Sequence, residues 1–85
     1  DPAAVAHSKP APDIFLAAAE GVGADIRRCI GIEDAAAGVA AIKASGALPI
    51  GVGKAEDLGS DIALVSGTAE LTYAYLQNVW VQSGR

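Results

Sequence analysis

The amino-acid sequence predicts an α/β fold with a partial Rossmann-like core, in which helices flank a short parallel sheet. Short apolar runs alternate with helix-forming segments, an order typical of parallel strands joined by right-handed crossover helices. One apolar run, residues 29–32, ends at the adjacent carboxylates Glu33 and Asp34, and an alanine-rich segment begins directly behind them. In open α/β sheets the carboxyl ends of the strands form the edge at which ligands bind. The position of this acidic pair therefore predicts a site as well as a fold.

Composition narrows the class of protein. The 85 residues permit a single domain, and a formal charge of −4 gives no attraction to nucleic acids or to anionic membranes. No apolar run reaches the length of about 18 residues that a membrane-spanning helix requires. Cys29 is the only cysteine, so no disulfide can form within the chain, and a reducing cytoplasm is expected. Its place in an apolar run favours a small buried side chain. The absence of methionine and the start at Asp1 indicate a piece of a longer polypeptide.

The first segments are a loop and a helix. Prolines at positions 2, 10 and 12 predict a loop at the start of the chain. Pro10 is expected to keep the backbone of Lys9 extended and so to fix the direction of the lysine side chain. A helix is predicted from Pro12 to the glycines at 21 and 23. Its apolar residues share one face, which we expect to point inward: Ile14, Phe15, Ala18, Ala19 and Val22.

A strand at 29–32 and a helix at about 35–45 follow, with Val39 and Ile42 inward and Gly46 as a left-handed carboxyl cap. Gly38 lies inside this helix, where glycine costs about 1 kcal/mol relative to alanine. We therefore expect a close approach of the backbone at Gly38, either to the sheet or to a ligand.

The remaining segments are two strands and a last helix. Residues 48–53 and 62–65 are the predicted strands, and a polar loop at 54–61 joins them. The last helix is predicted at 68–82, with a packing stripe of Tyr73, Leu76, Val79 and Trp80, and the residues after it are expected to fray. A sheet of about three strands leaves two open edges, and a chain this small has marginal stability. We therefore expect stability to depend on strands from the rest of a parent protein or from another copy.

Lys9, Glu33 and Asp34 are the candidate site residues, and each has a simpler interpretation. Lys9 also fits a solvated lysine beside a turn, and His7 fits an ordinary loop histidine because nothing near it has metal-ligand spacing. Asp34 fits a helix amino cap. A cap explains one carboxylate, but it does not explain two like charges at the end of a buried strand, where repulsion raises a carboxyl pKa unless a cation offsets it. A hard cation such as Mg²⁺ is therefore the alternative interpretation.

Two segments resemble conserved motifs of the haloacid dehalogenase superfamily. Residues 8–15 (Ser-Lys-Pro-Ala-Pro-Asp-Ile-Phe) resemble its third motif, and residues 31–38 (Gly-Ile-Glu-Asp-Ala-Ala-Ala-Gly) resemble its fourth. The likeness continues through residues 45–53, 56–59 and 76–82, so it covers essentially the whole chain. Within the superfamily it is greatest to the branch whose members isomerise hexose phosphates.

The resemblance implies Mg²⁺-dependent phosphoryl transfer. In that family an aspartate attacks a phosphoryl group, an aspartate two residues later is the general acid and base, and Mg²⁺ bridges the nucleophile and the phosphate. By resemblance, Lys9 has the catalytic role of balancing charge and also binds the substrate phosphate, while Glu33 and Asp34 hold the metal. The implied reaction interconverts β-glucose 1-phosphate and glucose 6-phosphate through an aspartyl-phosphate.

The sequence also departs from the family pattern. No Asp-x-Asp occurs in the 85 residues, so the nucleophile strand is absent, and the second motif and the helical cap domain are absent too. We therefore expect residues 1–85 to be the carboxyl-terminal part of a catalytic core domain and to be inactive alone. Ala35 stands where relatives often have serine, which removes a hydroxyl hydrogen bond.

Two further functions stay open. A sugar-phosphate phosphatase of the same superfamily would share these residues and differ in its cap domain, so an assay of hydrolysis against isomerisation separates the two. A noncatalytic piece that assembles through its open sheet edges predicts concentration-dependent oligomers and no role for Mg²⁺. Sedimentation with and without the ion separates that piece from the enzymes.

Overall fold

The computed structural model describes residues 5–85 and contains one three-stranded parallel sheet in the order β1-β2-β3. The strands are β1 (Ile30–Glu33), β2 (Leu48–Val52) and β3 (Ala63–Val65). Ile32 pairs with Ile50, and Ile50 pairs in turn with Ala63, so the ladder is continuous across the sheet. The predicted fold class is confirmed. The first four residues of the predicted loop lie outside the described residues.

Helices precede, connect and follow the strands. They are α1 (Asp13–Gly21), α2 (Ala36–Ser45), α3 (Ala55–Leu58) and α4 (Tyr73–Gln82), with 3-10 turns at Ile26–Arg28 and Thr68–Glu70. The element order among residues 5–85 therefore has the predicted alternation of helix and strand. Strand boundaries differ from the prediction by one residue, since β1 begins after Cys29 and includes Glu33.

The core lies between α2 and the sheet, because α2 packs against β1, β2 and α1. Ile42 of α2 and Ile50 of β2 are fully buried, and Val39 is buried beside them, as the helical periodicity predicts. Gly46 ends α2 in the left-handed conformation with φ 94°, which confirms the predicted cap. The buried Ser45 hydroxyl donates to the Ile42 carbonyl at 2.6 Å and accepts from Ala47 N–H at 3.2 Å. These buried polar groups at the end of α2 therefore have hydrogen-bond partners within the turn.

A glycine in β1 allows α2 to lie close to the strand. A Cβ at Gly31 would be 2.7 Å from both Cγ atoms of Ile42, a distance that real Cβ atoms do not tolerate. The helix therefore approaches the strand more closely here than any side chain at position 31 would permit. This approach fixes where the first turn of α2 lies relative to the end of β1.

Three sequence predictions need correction. The face predicted to point inward on α1 is largely exposed, since Ile14 is 44% exposed, Val22 is 80% exposed and only Ala19 is buried. The loop predicted at 54–61 contains the one-turn helix α3, which buries Leu58. The last helix begins at Tyr73 rather than at Thr68, because the Thr72 hydroxyl caps it by accepting from Tyr75 N–H at 3.1 Å.

The carboxyl-terminal helix α4 lies at the surface of the fold. No residue of α4 is buried, and Tyr73, predicted to lie in the packing stripe, is 79% exposed. The end of the chain does not fray as predicted, because the Arg85 guanidinium donates to the carbonyl of Gly46 at 2.7 Å and to that of Arg27 at 3.2 Å. Arg85 therefore connects the chain terminus to the end of α2.

Two edges of the sheet are open among residues 5–85, as the count of strands predicts: β1 forms one edge and β3 the other. Within the same part of the chain, no helix is both long and apolar enough to cross a bilayer.

Ile42→Ala tests the position of the core. Removing a fully buried isoleucine side chain leaves a cavity, so we expect the free energy of unfolding to fall by about 2–5 kcal/mol. Ile14→Ala is the matched control, because that isoleucine is largely exposed on α1 and alanine favours helix. Chemical denaturation of the intact protein that carries this sequence measures both values. Equal losses in the two variants would contradict the assignment of the core to α2 and the sheet.

Candidate functional site

The three predicted site residues lie at the carboxyl edge of the sheet. Glu33 is the last residue of β1, and Asp34 follows it before the first turn of α2. Lys9 comes from the loop that precedes α1, 24 positions earlier in the chain than Glu33. The fold thus brings together residues from two separate segments, in the place that parallel α/β architecture predicts.

Lys9 and Glu33 form an ion pair. The Lys9 ammonium donates to Glu33 Oε2 at 2.8 Å, a short distance typical of a charge-assisted hydrogen bond. The Glu33 side chain is only 12% exposed, whereas Lys9 is 38% exposed. The ammonium also lies 5.9 Å from the centroid of the Phe15 ring, within the range of a cation–π contact. Lys9 is therefore held from two sides, although it remains a partly exposed lysine beside a turn.

This contact determines the charge state of Glu33. The hydrogen bond from Lys9 is the main reason why the pKa of Glu33 lies below its ordinary value of 4.5, and the Coulombic attraction of the ammonium adds to it. Burial acts in the opposite direction and raises the pKa. The Asp34 backbone N–H also donates to Glu33 Oε1, at 3.2 Å, and favours the ionised form. Glu33 is consequently a carboxylate at neutral pH despite its acidic neighbour.

The Glu33 side chain crosses the first turn of α2 on its way to Lys9. A Cβ at Gly38 would overlap Glu33 Cγ and Cδ and would lie 2.5 Å from Oε2. The close approach predicted at Gly38 is therefore to a side chain of the site itself, rather than to the sheet or to a ligand. Ala35 is the amino-cap residue of α2 and makes no side-chain hydrogen bond to the helix, as the absence of a hydroxyl at this position predicts.

Asp34 is exposed and borders a shallow pocket of about 250 Å³. The pocket spans the ends of β1 and β2 and the turn after β3, and its lining residues are Ile32, Glu33, Asp34, Val52 and Thr68. Ile32, Val52 and Thr68 were not among the predicted site residues. Val52 lies one residue before the end of the second predicted strand, and Thr68 closely follows the third, so their chain positions were the signal that could have identified them.

Two acidic side chains order the loops that border the site. The Glu70 carboxylate accepts from Ser66 N–H at 2.8 Å, from the Ser66 hydroxyl at 2.6 Å and from Gly67 N–H at 3.0 Å. These bonds hold the pKa of Glu70 below its ordinary value and fix the turn that carries Thr68. On the other side of the site, Asp13 Oδ2 accepts from the backbone N–H of His7 at 3.1 Å and lies 3.2 Å from its ring Nδ1. Asp13 thereby closes the loop that contains Lys9.

A metal site built entirely from this chain is not present in the part that the structure describes, since no three His, Cys, Asp or Glu side chains converge there. The pocket does offer two carboxylates, Glu33 and Asp34. Mg²⁺ is commonly bound by one or two carboxylates, with water and phosphate oxygens as its other ligands. The donor set therefore fits a shared magnesium site, in which the remaining ligands come from elsewhere.

The chain is similar to known proteins over nearly its whole length. No family model matches the chain. The chain is 43% identical over 83 residues to β-phosphoglucomutase of Bacillus subtilis. The aligned residues make up 96% of this chain and 36% of that protein. The crystal structure of β-phosphoglucomutase from Clostridium difficile superposes with a TM-score of 0.90 at 36% identity, over 98% of this chain and 37% of the other. A HAD hydrolase of family IA from Entamoeba histolytica gives a TM-score of 0.73 at 29% identity, over 86% of this chain and 35% of the other.

The fold is that of the HAD-type phosphoryl-transfer family, HAD being the haloacid dehalogenase superfamily. Within this class, the chain is a homologue of β-phosphoglucomutase. The resemblance seen in residues 8–15 and 31–38 is thereby confirmed. The chain spans about a third of the length of these relatives, 36% of the curated protein and 37% of the solved one.

Lys9→Met tests the electrostatics of the site. Without the ammonium, the largest cause of the low pKa disappears while burial remains, so we expect the pKa of Glu33 to rise. The ion pair favours folding fully above about pH 4.5, and this contribution is lost as the pH falls through the pKa of Glu33 in the folded protein. The Lys9→Met protein should therefore lose the part of its pH-dependent stability that arises from the contact between Lys9 and Glu33.

The measurement is carbon NMR of the Glu33 carboxyl as a function of pH, combined with denaturation at each pH. Lys54→Met is the control, because Lys54 and its neighbour Glu56 are both largely exposed and 3.9 Å apart. A Glu33 pKa that is the same in Lys9→Met as in the wild type would show that Lys9 does not set it.

Proposed function

We propose that residues 1–85 supply the charge-handling part of a Mg²⁺-dependent phosphoryl-transfer site of the β-phosphoglucomutase type. The observation that carries this proposal is the 2.8 Å contact between Lys9 and Glu33, formed beside Asp34 at the carboxyl edge of a parallel sheet. Phosphoryl transfer depends mainly on positioning and on neutralising charge. A fixed ammonium beside paired carboxylates meets that requirement.

Lys9 is the residue that we propose to face the phosphoryl group. Its ammonium is partly exposed and is restrained by Glu33 and Phe15. The charge is therefore already in position before the substrate binds and can balance the negative charge of a phosphate. Glu33 keeps the ammonium in place and remains ionised because of it. Lys9 thus combines the charge-balancing catalytic role with binding of the substrate phosphate.

Glu33 and Asp34 are the residues that we propose to hold Mg²⁺. Asp34 is exposed at the pocket, while Glu33 uses Oε2 to accept from Lys9. The ion would supply Lewis-acid stabilisation of the phosphoryl oxygens. The carboxylates would hold this cation beside the Lys9 ammonium, and the two positive charges would share the negative charge of a phosphate.

The reacting aspartate is proposed to lie outside these 85 residues. The sequence contains no Asp-x-Asp, and the chain matches about a third of each β-phosphoglucomutase. On this proposal, the chain is the carboxyl-terminal part of the catalytic core and is inactive alone. Its partners would be a sugar phosphate and the remainder of the polypeptide, with β1 or β3 available as open edges for further strands.

The proposed reaction of the intact protein is the interconversion of β-glucose 1-phosphate and glucose 6-phosphate. A sugar-phosphate phosphatase is the second candidate, because a HAD hydrolase also shares this fold at 29% identity. Incubating the intact protein with β-glucose 1-phosphate and Mg²⁺, then measuring glucose 6-phosphate and inorganic phosphate, separates the two. Release of phosphate without glucose 6-phosphate would overturn the mutase assignment in favour of the phosphatase.

Asp34→Asn tests the proposed metal role. The amide keeps the size of the side chain but removes its negative charge, so we expect tight Mg²⁺ binding and turnover to be lost. Calorimetric titration with Mg²⁺ and the product assay measure the two effects in the intact protein. Asp61→Asn is a matched control, because Asp61 lies before β3, away from the carboxyl edge, and pairs with Lys43 at 2.6 Å. Unchanged Mg²⁺ affinity in Asp34→Asn would remove the metal assignment.

A further inference from the structure

Gly38 lies under the side chain that connects the two halves of the site. It is the third residue of α2 and is buried, and the Glu33 side chain passes directly over it. Glu33 leaves the end of β1, crosses the helix turn at this point and meets the Lys9 ammonium at 2.8 Å. The path of the carboxylate therefore requires empty space where any other residue has a Cβ.

Local helix stability does not explain a glycine here. Glycine is less favourable than alanine inside a helix, and the two preceding residues, Ala36 and Ala37, show that small helix formers are otherwise used in this turn. The backbone at Gly38 also has an ordinary negative φ, so no left-handed conformation demands glycine. What remains is the overlap that a Cβ would make with Glu33 Cγ and Cδ.

We propose that Gly38 is a positioning residue, whose missing side chain lets Glu33 hold Lys9 in the orientation that the site uses. The structural part of this inference stands on the contacts of Gly38, Glu33 and Lys9. Its consequence for Mg²⁺ and for phosphoryl transfer rests on the function proposed above. Gly38 touches neither substrate nor metal in this scheme and acts only through Glu33.

The nature of the overlap determines what a substitution does. The atoms in the way belong to a flexible side chain and not to the backbone, so Glu33 can rotate aside while the strand and the helix stay in place. A methyl group at position 38 should therefore leave the fold intact and separate Glu33 from Lys9. The helix itself gains, because alanine is the better helix former.

The experiment compares Gly38→Ala with Gly21→Ala, in the intact protein. Gly21 is also the glycine of a helix, and a Cβ there meets nothing within 4 Å, so it controls for helix propensity alone. Both variants are also made with Glu33→Ala, which removes the side chain that would be displaced. Three quantities are measured: the nitrogen NMR signal of the Lys9 ammonium, the denaturation midpoint, and the dissociation constant of Mg²⁺.

We expect Gly38→Ala to move the Lys9 ammonium signal to that of an unpaired lysine and to weaken Mg²⁺ binding about 10- to 100-fold, the usual effect of losing a group that orients metal ligands. The denaturation midpoint should rise more when Gly38→Ala is added to Glu33→Ala than when it is added to the wild type, because the overlap is then gone. Gly21→Ala should have the same effect in both backgrounds.

Other results have definite meanings. An unchanged Lys9 signal in Gly38→Ala would overturn the inference, and so would an equal effect of Gly38→Ala on the midpoint in both backgrounds. If Gly38→Ala prevents folding and Glu33→Ala does not restore it, Gly38 acts on the packing of α2 and the inference is also wrong. A displaced Lys9 signal with unchanged Mg²⁺ binding would support the positioning role and contradict the proposed function.

Discussion

The ion pair between Lys9 and Glu33 is the interaction on which the site depends, because it joins the loop before α1 to the end of β1. The loop before α1 lacks regular structure, yet Asp13 closes it through His7 and Glu33 fixes its lysine. A partly exposed pair of this kind contributes little to the free energy of unfolding. Its contribution is orientation: the charge of Lys9 has one defined position at the edge of the sheet.

That position follows from how closely α2 approaches β1. Gly31 lets Ile42 pack against the strand, and Gly38, seven positions later, lets the Glu33 side chain lie across the helix. The first glycine sets the approach of helix to strand, and the second sets the path of the carboxylate. A larger residue at position 31 would push Ile42 and α2 away from the strand, whereas a larger residue at position 38 would displace the Glu33 side chain. The apolar packing in the core and the polar contact at the edge therefore depend on the same short stretch of chain. A change that moves α2 alters the electrostatics of Glu33 as well.

The sequence predicted the sheet well because its signals are local. The apolar residues 29–32 and the left-handed Gly46 each identify one boundary without knowledge of the rest of the fold. Periodicity failed on α1, where it identifies an apolar face but not whether anything covers it. The four residues of α3 are too few to show a helical period. Lys9 and Glu33 were both identified as site residues, but their pairing required a contact across 24 positions, which no local pattern encodes.

The exposed strand β1 has two physical effects that act in opposite directions. As an edge strand it leaves backbone groups unpaired within residues 5–85, and Ile32, 40% exposed, adds apolar surface next to the acidic pair. Both features lower stability. The same exposure leaves the space beside Glu33 and Asp34 open, so a reactive group carried on a neighbouring strand would reach them without displacing any described element. Covering Ile32 and Val52 would also exclude water from the pocket, and the attraction between Lys9, a metal ion and a phosphate would strengthen as the local dielectric constant falls.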